Sequence, residues 1–207
     1  MIVSCDGIKM DPLKVLAILK WPNLANIKQV RAFLGLGNFY WWFIKDYAII
    51  AHPLTDLTCK DTSFMFDDKE KGAFNTLKAA FMKAPVLQYP DQDREFRLET
   101  DASEFAIGGV LSIRGDDGNF RPVTYMSHLM TPPEHNYPIH DKEMLAIIKA
   151  TKCGRHYLEA TPYTFEIHTD HNNLTYYFMW SLNLSKRQAH CQDQFFPIRT
   201  RRRGKVR

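Results

Sequence analysis

The periodicity of the apolar residues changes once along the chain, and this change is the strongest constraint on its fold. Residues 11–92 place apolar side chains at the three- and four-residue spacing of helices, whereas residues after 95 alternate apolar and polar as strands do. The segment between them, 88–93, is polar and contains a proline, which is typical of a connection. We therefore predict an α/β protein of two regions that meet near residue 92.

The first region contains three helix starts. Each pairs a capping side chain with a residue suited to the first turn: Asp11 with Pro12, Asn26 with Gln29, and Asp67 with Glu70. Five aromatic residues then occupy 39–43. Such a run can stack on bases, but it more often packs in a core or an interface, and we predict packing.

The second region alternates strands and helices in the order β-β-β-α-β-α. The predicted strands cover 96–100, 105–113, 120–127 and 163–168, the buried helix covers 141–157, and a short helix runs from Asn172 or Asn173 to Tyr177. Short turns between the first three strands predict an antiparallel meander.

Charge, cysteines and hydropathy exclude several classes of protein. No run of about 18 apolar residues or secretory signal occurs, so we expect an intracellular protein, in a cytoplasmic particle or the nucleus, with no membrane partner. The four cysteines are widely spaced and indicate free thiols. Residues 199–207 hold six of the 27 basic residues, a tail that can bind phosphates, act as a nuclear-import signal or have no role.

Three acids lie where predicted strands or helices begin or end. Asp101 closes the first strand, Asp170 closes the fourth, and Glu143 is in the first turn of the buried helix. Such positions can converge at one edge of a sheet, although each acid alone also fits a turn former or a helix cap. Carboxylates are suited to Mg²⁺, so convergence predicts metal-dependent hydrolysis of a phosphodiester. His171 is placed to assist the leaving group or to face solvent.

Several ordered motifs resemble the Pol polyproteins of gypsy-type LTR retrotransposons. In the first half they are Arg31-Ala32-Phe33-Leu34-Gly35, Asn38-Phe39-Tyr40, Phe43-Ile44, His52-Pro53-Leu54-Thr55-Asp56-Leu57 and Ala84-Pro85-Val86-Leu87. In the second half they are Glu99-Thr100-Asp101-Ala102-Ser103, Asn136-Tyr137-Pro138-Ile139-His140-Asp141-Lys142-Glu143, Arg155-His156-Tyr157-Leu158 and Thr169-Asp170-His171-Asn172-Asn173-Leu174. The likeness covers the C-terminal part of reverse transcriptase and its RNase H domain.

The resemblance implies a fold and a function. It implies that 1–92 is a reverse transcriptase thumb and connection segment, that 93–191 is an RNase H-like mixed sheet with helices, and that 192–207 is a divergent basic tail. In the family, the acids matching Asp101, Glu143 and Asp170 bind two Mg²⁺ or Mn²⁺ ions and cut the RNA strand of an RNA–DNA hybrid. The resemblance also assigns His171 to catalysis, and Ser103 and Asn172 to substrate binding. The expected partners are the hybrid and the rest of a Pol polyprotein, including the polymerase palm and integrase.

Two departures from the family pattern leave a second interpretation open. The polymerase palm is absent from these residues, and the likeness fades near Gln192, where family members continue through a strand and a helix that bears a fourth metal-binding aspartate. Asp193 lies too early to replace that aspartate. The chain is therefore expected to be C-terminally truncated relative to the family. It is either a nuclease with three of four ligands, or an inactive remnant that at most binds nucleic acid or a polymerase partner.

Overall fold

A computed structural model describes residues 1–60, 62–159, 161–163 and 165–169. Its helices are α1 (Pro12–Leu19), α2 (Ile27–Phe39), α3 (Tyr47–Asp56), α4 (Asp68–Met82), α5 (Pro132–His135), α6 (Ile139–Cys153) and α7 (Arg155–Leu158). Its strands are β1 (Ile2–Ser4), β2 (Gly7–Lys9), β3 (Phe96–Ala102), β4 (Ala106–Arg114), β5 (Phe120–Leu129) and β6 (Glu166–His168). A 3₁₀ turn at Trp41–Phe43 joins α2 to the segment before α3. The predicted short helix after Asn172 lies outside the described residues.

The predicted helix starts of the first region are present. The Asp11 carboxylate accepts a hydrogen bond from the Leu13 N–H at 2.9 Å, and the Asn26 side chain accepts one from the Gln29 N–H at 3.0 Å. The Asp67 N–H donates to the Glu70 carboxylate at 3.1 Å. These bonds satisfy backbone donors that the first turn of a helix leaves without a partner.

One core holds the helices of the first region together. Phe33, Leu54, Phe74 and Phe81 are almost completely buried within it. At its edge the Lys78 ammonium on α4 donates to two carbonyl oxygens at the end of α1, at 3.2 and 2.5 Å, and lies 4.3 Å from the centre of the Phe74 ring. Burial lowers the pKa of Lys78. Lys78 therefore ties α4 to the C-terminal end of α1.

The aromatic run at 39–43 packs, as predicted, and only its first side chain faces solvent. Tyr40 and Phe43 are buried, Trp41 and Trp42 are half-buried against the same core, and Phe39 is 63% exposed. The 3₁₀ turn within this run contacts β5. The run is thus part of the contact between the two regions.

Helix α3 and the hairpin β1–β2 are elements that the sequence reasoning missed. Helix α3 contains Pro53, which is normally a helix breaker, and each strand of the hairpin is only three residues long. Close packing fixes α3 on α2: a β-carbon built at Gly37 would lie 2.5 Å from the Tyr47 hydroxyl oxygen, which itself donates to Asn38 at 2.9 Å. Only a glycine leaves room for this contact.

The second region is a four-stranded mixed sheet in the order β5-β4-β3-β6. Strands β3, β4 and β5 form the predicted antiparallel meander, and β6 pairs in parallel with β3. In the turn between β4 and β5 the Asp117 carboxylate accepts hydrogen bonds from the Asn119 backbone and side chain and from Arg121, at 3.0–3.1 Å. These bonds lower the pKa of Asp117 to about 2.

Helix α6 covers one face of this sheet. Met144, Ile147 and Ile148 pack against Leu98 and Leu111 in a second core. The sequence predicts one helix over 141–157, whereas the structure has α6 from Ile139 to Cys153 and a separate short α7. The break falls at Gly154, whose N–H caps the end of α6. The Gly154 N–H donates to the Ala150 carbonyl at 2.9 Å, which closes the last turn of α6 before α7 begins at Arg155.

The helical region packs on the sheet through β5. Helix α3 and the 3₁₀ turn both contact this strand, and the Ala48 N–H donates to the Ser127 hydroxyl at 3.0 Å. This contact brings the segment before α3 over the face of the sheet that α6 leaves uncovered. Separately, none of the helices in the described part of the chain has the length and apolar character needed to cross a membrane.

Candidate functional site

A cleft of about 310 Å³ lies where the segment before α3 meets the sheet. Strands β3 and β4, the end of β6 and that segment form its walls, through Lys45, Asp46, Glu99, Thr100, Asp101, Gly108, Gly109, Val110, His168 and Thr169. It combines residues of both regions with one of the three predicted metal ligands, Asp101.

Asp101 projects from the face of the sheet opposite α6. Alternate residues of β3, among them Leu98 and Ala102, are buried, and Asp101 between them is exposed because successive strand residues point to opposite faces. Asp101 pairs with Gly108 on β4, and Gly108 pairs with Ser127 on β5. These three residues therefore form one row across the face of the sheet opposite α6.

Asp46 enters the cleft from the helical region, above this row. Its backbone is in the left-handed conformation, with φ of 57°, which is uncommon for a residue with a side chain. A β-carbon built at Gly108 would lie 2.9 Å from Asp46 Oδ1, so the glycine makes room for this carboxylate. Burial raises the pKa of Asp46; Lys45 opposes that shift and the negative charge of Asp101 adds to it. Nothing in the sequence around Asp46 indicates this position.

Glu143, on α6, contacts the chain just after the end of β6. It is 3% exposed, and Thr169 Oγ1 donates a hydrogen bond to Glu143 Oε2 at 3.2 Å. Thr169 also lines the cleft, and it immediately precedes Asp170 in the chain. The bond therefore joins a buried carboxylate of α6 to the strand end where a second predicted ligand follows. The sequence predicts Glu143 in the first turn of this helix. Because α6 begins at Ile139, Glu143 is in the second turn instead.

A side-chain network fixes His168 in the wall of the cleft. Arg97 donates to Glu166 Oε2 at 3.3 Å, and His168 Nε2 lies 3.0 Å from the same oxygen. The Arg97 guanidinium lies 3.6 Å from the centre of the Phe120 ring. Because an ionised carboxylate only accepts, His168 carries its proton on Nε2. The sequence reasoning missed His168 and Thr169, although Thr169 adjoins Asp170 in the last family motif.

The remaining predicted site residues divide into two groups. Ser103 closes the turn between β3 and β4, where its hydroxyl donates to the Ala106 carbonyl at 2.8 Å and accepts from the Ala106 N–H at 3.1 Å. It does not line the cleft, and its part in substrate binding stays a prediction. Asp170, His171 and Asn172 lie outside the described residues, so the complete predicted set of ligands does too.

The cleft contains carboxylates of the kind that bind a hard divalent cation, but the described residues do not group them into a metal site. Asp46, Glu99 and Asp101 supply carboxylate oxygens, the ligands that Mg²⁺ prefers. Burial is the main cause of the raised pKa of Asp46, and the negative charge of Asp101 adds to it. Within 1–60, 62–159, 161–163 and 165–169, no three His, Cys, Asp or Glu side chains are grouped as metal ligands.

Comparison with known proteins gives the family of the chain. Residues 66–167 match the model of the RNase H-like domain found in reverse transcriptase. The Tf2-3 and Tf2-4 transposon polyproteins of Schizosaccharomyces pombe are each 42% identical to the chain over 157 residues. The match covers 76% of this chain and 12% of each polyprotein, so the chain spans a small part of the length of these relatives.

Solved structures of foamy viral protease-reverse transcriptase share the fold. A form in complex with double-stranded DNA has a TM-score of 0.80 at 16% identity and covers 99% of this chain and 37% of that one. A form in complex with an RNA/DNA hybrid has a TM-score of 0.76 at 18% identity and covers 99% of this chain and 28% of that one. The motifs, the family match and the polyprotein relatives together assign the chain to the gypsy-type LTR retrotransposon Pol family, in the part that carries the RNase H-like domain of reverse transcriptase.

Proposed function

We propose that this chain hydrolyses the RNA strand of RNA–DNA hybrids, with Asp101, Glu143 and Asp170 holding two divalent metal ions. The observation that carries the proposal is the hydrogen bond from Thr169 to Glu143, because Thr169 lines the cleft of Asp101 and directly precedes Asp170. In this arrangement 1–92 is the reverse transcriptase segment and 93–191 the RNase H-like domain. The parent polyprotein would supply the polymerase palm and the integrase.

The candidate residues have distinct parts in this reaction. Asp101, on the open face, is accessible to an incoming strand, and Glu143 is held in place by the threonine hydroxyl. Mg²⁺ or Mn²⁺ ions bound there would lower the pKa of an attacking water and stabilise the oxygen that leaves the phosphodiester. We assign His171 to the leaving group and Ser103 and Asn172 to the substrate. The RNA strand is distinguished by its 2′-hydroxyl, which the DNA strand lacks.

The hybrid is the proposed substrate because of family and fold. A foamy viral protease-reverse transcriptase that shares the fold was solved in complex with an RNA/DNA hybrid. Asp101 is exposed within the cleft, so among the described residues it is the predicted metal ligand that a nucleic-acid strand can reach. We therefore expect the duplex to lie across the cleft with one strand inserted.

A second candidate is a module that binds nucleic acid without hydrolysing it. It is favoured by the separation of two of the acids: Asp101 leaves the sheet on the face opposite α6, whereas α6 carries Glu143. A metal pair needs both carboxylates, and metal ions in such pairs lie roughly 3.5–4 Å apart. The two candidates differ in activity and share the family.

The test is cleavage of a labelled RNA–DNA hybrid by the 207-residue chain in Mg²⁺ or Mn²⁺. Asp101→Asn and Glu143→Gln should each slow cleavage at least about a hundredfold, since even the residues behind metal ligands are worth about ten- to a hundredfold. The matched control is Glu104→Gln, an exposed acid that does not line the cleft. Chelation should stop cleavage and added Mg²⁺ should restore it. Binding of the hybrid by a folded chain without cleavage in either metal would select the second candidate.

A further inference from the structure

The wall of the cleft that comes from the helical region has a fixed backbone. Ile44 and Tyr47 are buried on either side of Lys45 and Asp46. The Asp46 carboxylate lies against Gly108, and the Ala48 N–H is bound to Ser127 at 3.0 Å. Lys45 is therefore anchored on both sides in the chain, while its own side chain is exposed at the edge of the cleft.

Lys45 differs in charge from the other residues around it. Among the described residues that line the cleft, it is the only lysine or arginine, and Asp46, Glu99 and Asp101 are acids. Within the described ranges the Lys45 ammonium has no ion-pair partner within 4.0 Å, although it interacts with Asp46 electrostatically.

The chemistry of the cleft indicates which ligand Lys45 would meet. A phosphate that enters a cleft lined by three acids needs positive charge on its path, and a basic side chain at the edge would supply it before the phosphate reaches a bound metal ion. A lysine on a fixed backbone supplies such a charge, because its ammonium binds a phosphate as a flexible point charge with three donors.

We infer that Lys45 binds a backbone phosphate of the nucleic acid in the cleft, so that the helical region contributes directly to the substrate site of the RNase H-like domain. This inference rests on the proposed function for the identity of the substrate. Asp46 acts as a positioning residue, which sets the height of the Lys45 backbone above the sheet through its contact with Gly108.

The experiment compares hybrid binding by Lys45→Gln with binding by Lys69→Gln. Lys69 is exposed on α4, does not line the cleft and loses the same charge. Both changes are made in an Asp101→Asn background, so that any nuclease activity is blocked, and affinity is measured by fluorescence anisotropy at several salt concentrations. One phosphate contact contributes about 0.9 to the slope of log K against log salt. We expect Lys45→Gln to reduce that slope by about one and Lys69→Gln to leave it unchanged.

Kinetics separate substrate binding from a general loss of structure. In the chain with Asp101 intact, Lys45→Gln should raise KM about tenfold with kcat within about twofold, and Lys45→Arg should restore KM, because it retains the charge. An unchanged slope and KM in Lys45→Gln, beside a wild-type chain that cleaves, would overturn the role of Lys45 alone. A chain that binds the hybrid with the Lys45-dependent slope but never cleaves it would refute the proposed hydrolysis and support the Lys45 contact. A chain that does not bind the hybrid would overturn both.

Discussion

The contact between Gly37 and Tyr47 gives a sharp test of how α3 is held, and through it the segment that carries Lys45. In Gly37→Ala the new methyl group would lie 2.5 Å from the Tyr47 hydroxyl oxygen, which is fixed to a rigid ring and cannot rotate away. Overpacking of this kind costs about 1–3 kcal/mol. Alanine gains up to about 1 kcal/mol over glycine in a helix. We expect a net loss of about 1 kcal/mol in the free energy of unfolding.

The same substitution should have the opposite sign when the hydroxyl is removed. Tyr47→Phe alone should cost about 1 kcal/mol, because the hydroxyl no longer donates to Asn38. In that background the methyl group introduced at position 37 meets the ring carbon of residue 47 at 3.4 Å and Phe81 at 3.5 Å, which are close to ordinary contact distances. Gly37→Ala should then stabilise by up to about 1 kcal/mol.

A double-mutant cycle measures the difference. Urea unfolding of the wild type, both single variants and the double variant should give a coupling free energy of about 2 kcal/mol, within the range found for residues in contact. Burial raises the pKa of Tyr47, so its hydroxyl keeps its proton at any ordinary assay pH. Additive effects, with alanine equally costly in both backgrounds, would refute the packing argument.

Three further predictions concern other parts of the chain. Lys78→Met should lower the free energy of unfolding by about 2 kcal/mol, since it removes charged hydrogen bonds to the end of α1; an unchanged urea midpoint would contradict this. In the folded chain Asp117 has a pKa of about 2, below its ordinary value of 3.8. The ionised side chain therefore contributes fully to the stability of the fold above pH 3.8, and this contribution is lost as the pH falls through 2. The advantage in thermal midpoint over Asp117→Asn should therefore shrink between about pH 5 and pH 2, and a constant difference would exclude this linkage. Thr169→Val removes the hydrogen bond to Glu143 at nearly constant volume and should slow hybrid cleavage about tenfold. It should also lower the thermal midpoint, because the buried Glu143 carboxylate loses a donor; an equal rate would separate Thr169 from the site.

Local sequence signals determined the elements that lie around the site. Asp11, Asn26 and Asp67 predict helix starts because their side chains bond backbone donors a few residues away. The alternation along 96–100 predicts both the strand and the face on which Asp101 lies, because the side-chain period of a strand is two. Family motifs then predicted the RNase H-like sheet and its helical partner.

Only the tertiary structure decided how the two regions combine. Asp46 adopts a left-handed backbone and reaches the cleft because Gly108, which is distant in the sequence, leaves space for it. In the sequence Lys45 looks like an ordinary exposed lysine, and its place in the same cleft as Asp101 follows from the packing of α3 on β5. Contacts of this kind join residues far apart in the chain, so no periodicity or cap can encode them. The sequence thus determined the family and most of the elements, although not α3 or the β1–β2 hairpin, while long-range packing decided which charges share the cleft.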